Sequence, residues 1–386
     1  MAGEVRMGVV GLGNMGGYHA DYLSKGAIKG ARLAAVCDIQ ADKLSSFRGN
    51  DARKFEDSGK MLRSGLVDAV IIATPHYAHT TVGIDAFQNG VNVLTEKPIS
   101  VHKRDCEKLI AAHKASRGKV FGAMFQMRTV PITAKVRSMV KSGELGEIRR
   151  MNWIVTDWFR SQAYYSSGGW RATWRGEGGG VLMNQCPHNL DLLQWICGMP
   201  SKVEAHCAFG KFHDIEVEDE VTAYLEFPNG ATGVFITTTG EAPGTNRLEI
   251  AGDMGKLVME GGKLRFTRNE VNARKFCKTT REIWATPGVW DVEIPVRGSG
   301  GRHEDITQNF VDAVKDGVPL FAPGVEGINS VELANSMVFS SLEGKAVKLP
   351  LNSKVYESRL MKLVAKSRMK KEPKRTVRAD MEGSFK

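Results

Sequence analysis

Three short stretches of this sequence carry residue types at spacings that chemistry uses. The first is Gly11-Leu12-Gly13-Asn14-Met15-Gly16, a G-x-G-x-x-G run. In such a run the first glycine permits a tight turn and the second lets backbone approach a pyrophosphate. The third lets a helix pack closely on a strand, with phosphate at the helix N-terminus. The second stretch is Thr95-Glu96-Lys97-Pro98, which sets a lysine beside a proline at the end of an apolar run. The third follows Gly178-Gly179-Gly180 and places Asn184, His188 and Asp191 at i, i+4 and i+7. On one continuous helix that spacing is a single face, and Pro187 confines it to the first turns.

The glycine run has the context that dinucleotide binding needs. The strand-like run VRMGVV (5–10) precedes it, a helical pattern over 15–25 follows, and Asp38 closes the next strand-like run, 22 positions beyond Gly16. A carboxylate there suits an adenine ribose 2′-OH and repels a 2′-phosphate, which favours NAD over NADP. By sequence alone, Lys43 lies too far along to cancel that repulsion.

Lys97 has two readings: a surface lysine in a turn, or a desolvated lysine that hydrogen-bonds a reacting oxygen beside a positive nicotinamide. His188 also has two. It is either a core histidine on a helix capped by Asn184, or a base presented toward the dinucleotide, since imidazole titrates near working pH. Residues 153–175 hold Trp153, Trp158, Trp170 and Trp174, with Phe159, Tyr164, Tyr165, Arg160, Arg171 and Arg175. Aromatic faces stack on sugar C–H faces, and arginines hydrogen-bond hydroxyls or carboxylates. A subunit interface is enriched in the same types, so both readings stand.

The elements that must position these residues fall into two patterns. Up to residue 124, strand-like runs at 5–10, 32–37, 67–73, 91–95 and 119–124 alternate with helical patterns at 15–25, 41–48, 77–88 and 102–116. That alternation predicts βαβ units, an α/β doubly wound parallel sheet over 1–124. Ala73-Thr74-Pro75-His76-Tyr77-Ala78-His79 and the Glu96-Lys97 pair then fall at strand C-termini, where such sheets bind ligands. From about 148 the runs 149–157, 203–213, 220–227, 231–239, 247–252, 256–260 and 263–268 form a meander. Phe227-Pro228-Asn229-Gly230 reads as a hairpin turn within it. With helices at 131–142, 184–197, 304–316 and 328–343, residues 125–352 predict an α+β domain built on an antiparallel sheet.

Composition narrows the function classes. A chain of 386 residues with 42% hydrophobic and 25% charged residues has enough apolar material for folded cores, and its length favours two domains. No uncharged apolar run reaches about 18 residues, so no membrane span is expected. The opening MAGEVRMGVVGLG enters a strand without an apolar leader and cleavage site, so no secretory signal is expected. Six scattered cysteines without C-x-x-C pairs suit reduced thiols in a cytoplasm and no metal site. Residues 354–386 hold eleven basic and four acidic residues, seven of the ten net positive charges. A solvated basic tail over 353–386 is the expectation. It lacks aromatics interleaved with the basic residues, so no nucleic-acid partner is expected.

In order from about residue 5 to 352, five motifs together resemble the glucose–fructose oxidoreductase/inositol dehydrogenase (Gfo/Idh/MocA) family. They are Gly-Leu-Gly-Asn-Met-Gly, Ala-Thr-Pro-His-Tyr-Ala-His, Glu-Lys-Pro, Gly-Gly-Gly-Val-Leu-x-Asn-Gln-x-x-His-x-x-Asp and the closing Gly-Lys-Ala-Val-Lys-Leu-Pro-Leu. The resemblance implies a Rossmann domain plus an open-faced sheet domain, NAD(P)-dependent redox chemistry on sugars or polyols, and a homodimer or homotetramer. It implies that Lys97 is catalytic, with Pro98 often cis, and that His188 is the acid/base. Cofactor contacts are expected at Gly11, Gly13, Asn14, Met15, Gly16 and Asp38. Further ones are expected at Thr74, Pro75, His76, His79, Glu96, Lys97 and Gln126. Substrate contacts are expected at Asn184, Arg160, Tyr164, Trp170, Arg171, Trp174 and Arg175.

One departure counts. Many relatives carry Asp four residues before the histidine, where this chain has Asn184, and an amide cannot carry a proton. Two alternatives accompany the dehydrogenase reading. One is a redox-neutral glycosidase in which Tyr164, Tyr165 or Asp157 supplies an extra base. The other is an NAD-sensing regulator, against which the presence of both Lys97 and His188 argues.

Overall fold

The computed structural model describes residues 3–49 and 51–368. The first sheet is parallel throughout. Its strands are β1 (Val5–Val10), β2 (Ala31–Cys37), β3 (Arg53–Phe55), β4 (Ala69–Ile72), β5 (Asn92–Thr95) and β6 (Phe121–Ala123). They lie in the order β3-β2-β1-β4-β5-β6. The direction of winding reverses between β1 and β4, and the crevice outside their C-terminal ends is where such sheets bind ligands. β4 is buried along its length because helices cover both faces, as its unbroken Ala-Val-Ile-Ile run requires. β3 and the helix Ser58–Arg63 were not anticipated. Both are short and largely polar, so no apolar periodicity marks them.

The first core includes Ile306, Phe310 and Val311 from the helix His303–Asp316, packed with Met7, Val9 and Leu94. The sequence placed that helix within the 125–352 unit. An amphipathic stripe shows that a helix covers a sheet, not which sheet it covers. Nearby, Ala123 N–H donates to the Ala322 carbonyl at 3.0 Å, so the chain returns to the edge of β6.

The second sheet has nine strands: β7 (Ile148–Val155), β8 (Lys202–Phe209), β9 (Glu218–Glu226), β10 (Thr232–Thr238), β11 (Asn246–Gly252), β12 (Gly255–Glu260), β13 (Lys263–Asn269), β14 (Val289–Ile294) and β15 (Val347–Lys348). Their order is β14-β13-β12-β11-β7-β10-β9-β8-β15, and only β7 and β10 pair in parallel. The Phe227–Gly230 turn joins β9 to β10 as expected, with Phe227 N–H on the Ala231 carbonyl at 2.8 Å. One face is apolar, with Met151, Trp153, Val155 and Phe235 buried. Helices Pro187–Cys197 and Gly327–Glu343 contribute buried residues to the same core.

Two expectations fail on backbone chemistry. The helix predicted over 184–197 is broken into Val181–Asn184 and Pro187–Cys197. Pro187 has no N–H to continue the ladder and its ring crowds the preceding turn. Asn184, His188 and Asp191 therefore do not share one helix face. The tail expected to be solvated from 353 is instead helical over Ser353–Lys366, with Tyr356 and Leu360 buried in the second core. Its remainder, from 369 onward, lies outside the described residues.

Candidate active site

β5 ends at Thr95 and delivers Glu96 and Lys97 into the crevice, with the Lys97–Pro98 peptide cis. Lys97 Nζ donates to the backbone carbonyl of Asn184 at 2.9 Å, which joins the first sheet to the broken helix. Burial lowers the Lys97 ammonium's pKa, and Arg171 and Arg160 lower it further, while Glu96 and Glu177 oppose both effects.

Glu96 stands behind that lysine. Its carboxylate accepts from Lys97 N–H at 3.2 Å and meets His19 Nε2 at 2.7 Å. Behind His19, Tyr22 bridges the ring to Thr307. Burial alone would push the Glu96 carboxyl up, yet the His19 hydrogen bond and the nearby positive groups hold it well below its ordinary value. Both oxygens are thus engaged inside the protein, so Glu96 supports Lys97 rather than offering a free oxygen to a cofactor.

His188 sits in the first turn of Pro187–Cys197, its ring 6.1 Å from Phe125 and edge-on to it. Burial pushes its pKa well below the ordinary 6.5, and Lys97 adds to the effect. The shift favours the neutral imidazole, the form that has a lone pair for a proton. Its Nε2 lies 3.4 Å from the Gln126 amide, and its Nδ1 has no partner among the described residues. Thr74 Oγ1, Gln126 Oε1 and Gln185 Oε1 are likewise buried and unpartnered. Buried polar atoms are ordinarily paired, and these four are carried by segments that converge on Lys97 and His188.

The glycine loop is shaped for a phosphate. Gly11 has φ +91°, and a Cβ on Gly16 would lie 1.7 Å from the Gly11 carbonyl oxygen. A Cβ on Gly13 would meet nothing within 4 Å, which marks the open side of the loop where Asn14 and Met15 begin the helix. Asp38 accepts from Leu12 N–H at 2.7 Å and Gln40 N–H at 2.9 Å, which holds the carboxylate at the crevice edge. These residues fit a dinucleotide. Lys43 lies 3.6 Å from Asp38, close enough to offset part of the repulsion of a 2′-phosphate, contrary to the separation expected from sequence.

Of the other expected cofactor contacts, Thr74 and Pro75 sit between β4 and the helix His76–Gln88. His76 Nδ1 meets the Glu177 carbonyl at 3.2 Å. Both ring nitrogens of His79 face backbone carbonyls, Pro98 at 2.7 Å and Thr74 at 2.8 Å. His79 therefore staples two loops together, which leaves no ring nitrogen for the expected cofactor contact.

Four of the expected substrate residues gather around Asn184. Tyr164 OH donates to Asn184 Oδ1 at 3.3 Å and accepts from Arg171 Nη1 at 2.8 Å. The guanidinium groups of Arg160 and Arg171 lie 5.4 and 4.7 Å from the Tyr164 ring, and Arg171 also stacks on Trp170 at 4.9 Å. Trp174 and Arg175 are corrected. Trp174 is buried in the second core beside Phe209, and Arg175 bonds to Ser367 and the Val364 carbonyl. The turn over Thr173–Gly178 carries them away from Tyr164. Asp191 forms a bidentate pair with Arg128, 2.7 Å on both arms. Among the described residues His102, Asp105 and Glu357 bring ligand-type atoms together, but Lys108 and Arg104 already pair with those carboxylates.

Glu177 is a buried carboxylate of this cluster to which the sequence did not point. It is 2% exposed, accepts from Ala172 N–H at 2.6 Å and from the Asn184 amide, and burial pushes its pKa up. The available signal was a lone carboxylate inside Arg175-Gly176-Glu177-Gly178-Gly179-Gly180, where glycines make room for close backbone packing.

Fold and site together define a dinucleotide-binding protein of two sheets, with a lysine and a histidine where they meet. The chain belongs to the GFO/IDH/MocA oxidoreductase family. The model for its "Oxidoreductase family, NAD-binding Rossmann fold" matches residues 5–124, and that for its C-terminal domain matches 133–258. The chain is 31% identical to the rhizopine catabolism protein MocA of Rhizobium meliloti over 50% of this chain and 57% of that one. It is 30% identical to the inositol 2-dehydrogenase of Rubrobacter xylanophilus over 50% of this chain and 52% of that one. The match thus spans little more than half the length of these curated relatives. A crystal structure of the WlbA dehydrogenase from Bordetella pertussis, in complex with NADH and UDP-GlcNAcA, superposes with a TM-score of 0.76. It is 26% identical and covers 90% of this chain and 100% of its own.

Proposed function

We propose that this protein is an NAD-dependent dehydrogenase that oxidises a CH–OH group of a sugar, polyol or glycoside. The observation that carries the reading is that the buried His188 ring feels the charge of Lys97, whose Nζ reaches the Asn184 carbonyl four residues before it, while His188 Nδ1 has no partner among the described residues. The neutral imidazole takes the hydroxyl proton. The Lys97 ammonium hydrogen-bonds the same oxygen and stabilises the alkoxide as charge develops on it. Bound NAD supplies the hydride acceptor. Asn184 and Tyr164 orient neighbouring hydroxyls, and the arginine–aromatic wall of Arg160, Tyr164, Trp170 and Arg171 covers the sugar face.

The deciding experiment offers NAD with a panel of free sugars, uronates and glycosides, following NADH absorbance and released aglycone together. Accumulating NADH supports the dehydrogenase. Aglycone released without NADH overturns it in favour of the redox-neutral glycosidase, and tight NAD binding without turnover overturns it in favour of a regulator.

A specific observation favours an acidic substrate within this class. Neither Arg160 nor Arg171 forms an ion pair within 4 Å among the described residues, although both flank Tyr164 near Lys97. A sugar carboxylate would supply that partner. The WlbA dehydrogenase, with which this chain shares its fold, is described in complex with UDP-GlcNAcA, which supports a sugar derivative as the substrate class.

We further propose a homodimer or homotetramer that covers the outward face of the second sheet. That face carries Asn152, Ile154, Val234, Ile236 and the exposed Tyr224. Light scattering on the purified protein tests it. No described helix is long and apolar enough to cross a membrane, and six unpaired cysteines agree with a reducing cytoplasm.

A further inference from the structure

The mechanism leaves one buried carboxylate unused. Glu177 is anchored at four points: its N–H on the Thr173 carbonyl at 2.9 Å, its own carbonyl at His76 Nδ1, and its two carboxylate oxygens at Ala172 N–H and the Asn184 amide. Asn184 is held from the other side by Lys97 Nζ on its backbone carbonyl. Because Nδ2 of Asn184 is committed to Glu177, Oδ1 must face the cleft, where it accepts from Tyr164 OH and Gln185 Nε2. One contact thus decides which end of the amide a substrate meets.

We infer that Glu177 is the positioning residue of this site, acting on the cleft through Asn184. Glu177 fixes the Asn184 amide with its acceptor toward the substrate and places a negative charge near the Lys97 ammonium. The groups around that ammonium are Glu96 and Glu177, which favour its charged form, and Arg171 and Arg160, which oppose it. Glu96 is already paired with His19, so Glu177, which has no ion pair within 4 Å among the described residues, is the carboxylate that offsets the effect of the two arginines on Lys97. A second carboxylate at 184 would lie against the first in a buried place, where like charges strongly disfavour joint ionisation. Asn184 and Glu177 are therefore a matched amide–carboxylate pair.

The inference rests on the proposed dehydrogenase reading, and its tests separate the two. Glu177→Gln keeps an acceptor for Ala172 N–H but turns an amide donor toward Asn184, which must then rotate Oδ1 away from Tyr164. The expected result is at least a tenfold fall in kcat, with NADH affinity within about twofold of wild type. Asn184→Asp alone should also lose at least tenfold. The double variant Glu177→Gln/Asn184→Asp moves the carboxylate to 184 with every hydrogen bond satisfied, and should recover most of the lost kcat. A double variant no better than either single one overturns the inference, as does Asn184→Asp at or above wild-type activity.

A readout without substrate stands beside these. Competitive acylation of lysines at graded pH should find Lys97 reactive at lower pH in Glu177→Gln, because a charge favouring its ammonium is gone. An unchanged Lys97 profile overturns the inference even if no sugar in the panel is oxidised. Wild-type protein that oxidises none of them overturns the functional reading alone. Should Glu177→Gln fail to fold, Asn184→Asp and the acylation profile of Glu177→Asp, expected to match wild type, decide it.

Discussion

Lys97 Nζ and the backbone carbonyl of Asn184 lie 2.9 Å apart, across 87 residues of sequence. This bond ties the end of β5 in the first sheet to the helix break that presents His188 from the second. The lysine is thereby set where burial and two arginines work against its own charge, and where a substrate oxygen can exchange for the carbonyl.

Replacing that lysine should separate binding from chemistry. Lys97→Ala leaves the glycine loop and Asp38 intact, so NADH affinity by fluorescence titration should stay within about threefold of wild type. Turnover should fall by about 100- to 10,000-fold, the range typical for a positioned acid–base group. Near-normal turnover would remove Lys97 from the mechanism.

Cofactor choice should follow Asp38. Asp38→Ala removes the acceptor of Leu12 N–H and Gln40 N–H together with the charge that repels a 2′-phosphate, and it leaves Lys43 free. NAD affinity should weaken about tenfold or more while NADP affinity rises, in keeping with a charged hydrogen bond of about 1.5–3 kcal/mol. The ratio of the two dissociation constants is the measurement. An unchanged ratio would place the discrimination elsewhere.

If the substrate carries a carboxylate, the arginines should report it in KM. Arg171→Ala and Arg160→Ala should each raise KM for a uronate about 10- to 100-fold, the loss expected of a charge-assisted contact. KM for the matching neutral sugar should change less than about threefold. Equal effects on both sugars would assign the arginines to stacking on Tyr164 and Trp170 alone.

Glu218 sets a pH dependence of stability. It is fully buried, accepts from Gly180 N–H and Leu182 N–H through one oxygen, and has no partner for the other among the described residues. Burial pushes its pKa up to about 7 from 4.5. Between those values the folded state holds a proton that the unfolded chain has lost, so this group's contribution falls as pH rises from 4.5 to 7. The change approaches about 3 kcal/mol. Glu218→Gln, which cannot ionise, should show a flatter decline of Tm from pH 5 to 8 than wild type. Parallel curves would mean that Glu218 does not titrate in this window.

Legibility from sequence followed the range of the interactions. Gly11, Gly16 and Asp38 could be read because a turn, a close helix–strand approach and a strand end are properties of a few consecutive residues. β4 and the hairpin at Phe227–Gly230 were readable for the same reason. The protein contacts of Trp174, Arg175 and His79 could not be read from sequence, because composition reports what a side chain can touch, while direction comes from turns that neighbours impose. Glu177 was missed, and the reach of Lys43 toward Asp38 was misjudged, because both depend on partners that folding supplies.

The sequence by itself determined a parallel dinucleotide-binding sheet, an antiparallel second sheet, and Lys97 and His188 as residues suited to proton and oxygen chemistry. Periodicity, glycine geometry and side-chain acidity are all encoded locally. Only the tertiary structure decided that Pro187 breaks the helix, that Asp191 answers Arg128, and that helix His303–Asp316 completes the first core. It alone brought Glu177 against Asn184 beside Lys97. Burial and charge depend on what the rest of the chain packs around a group, and those surroundings exist only once both sheets have met.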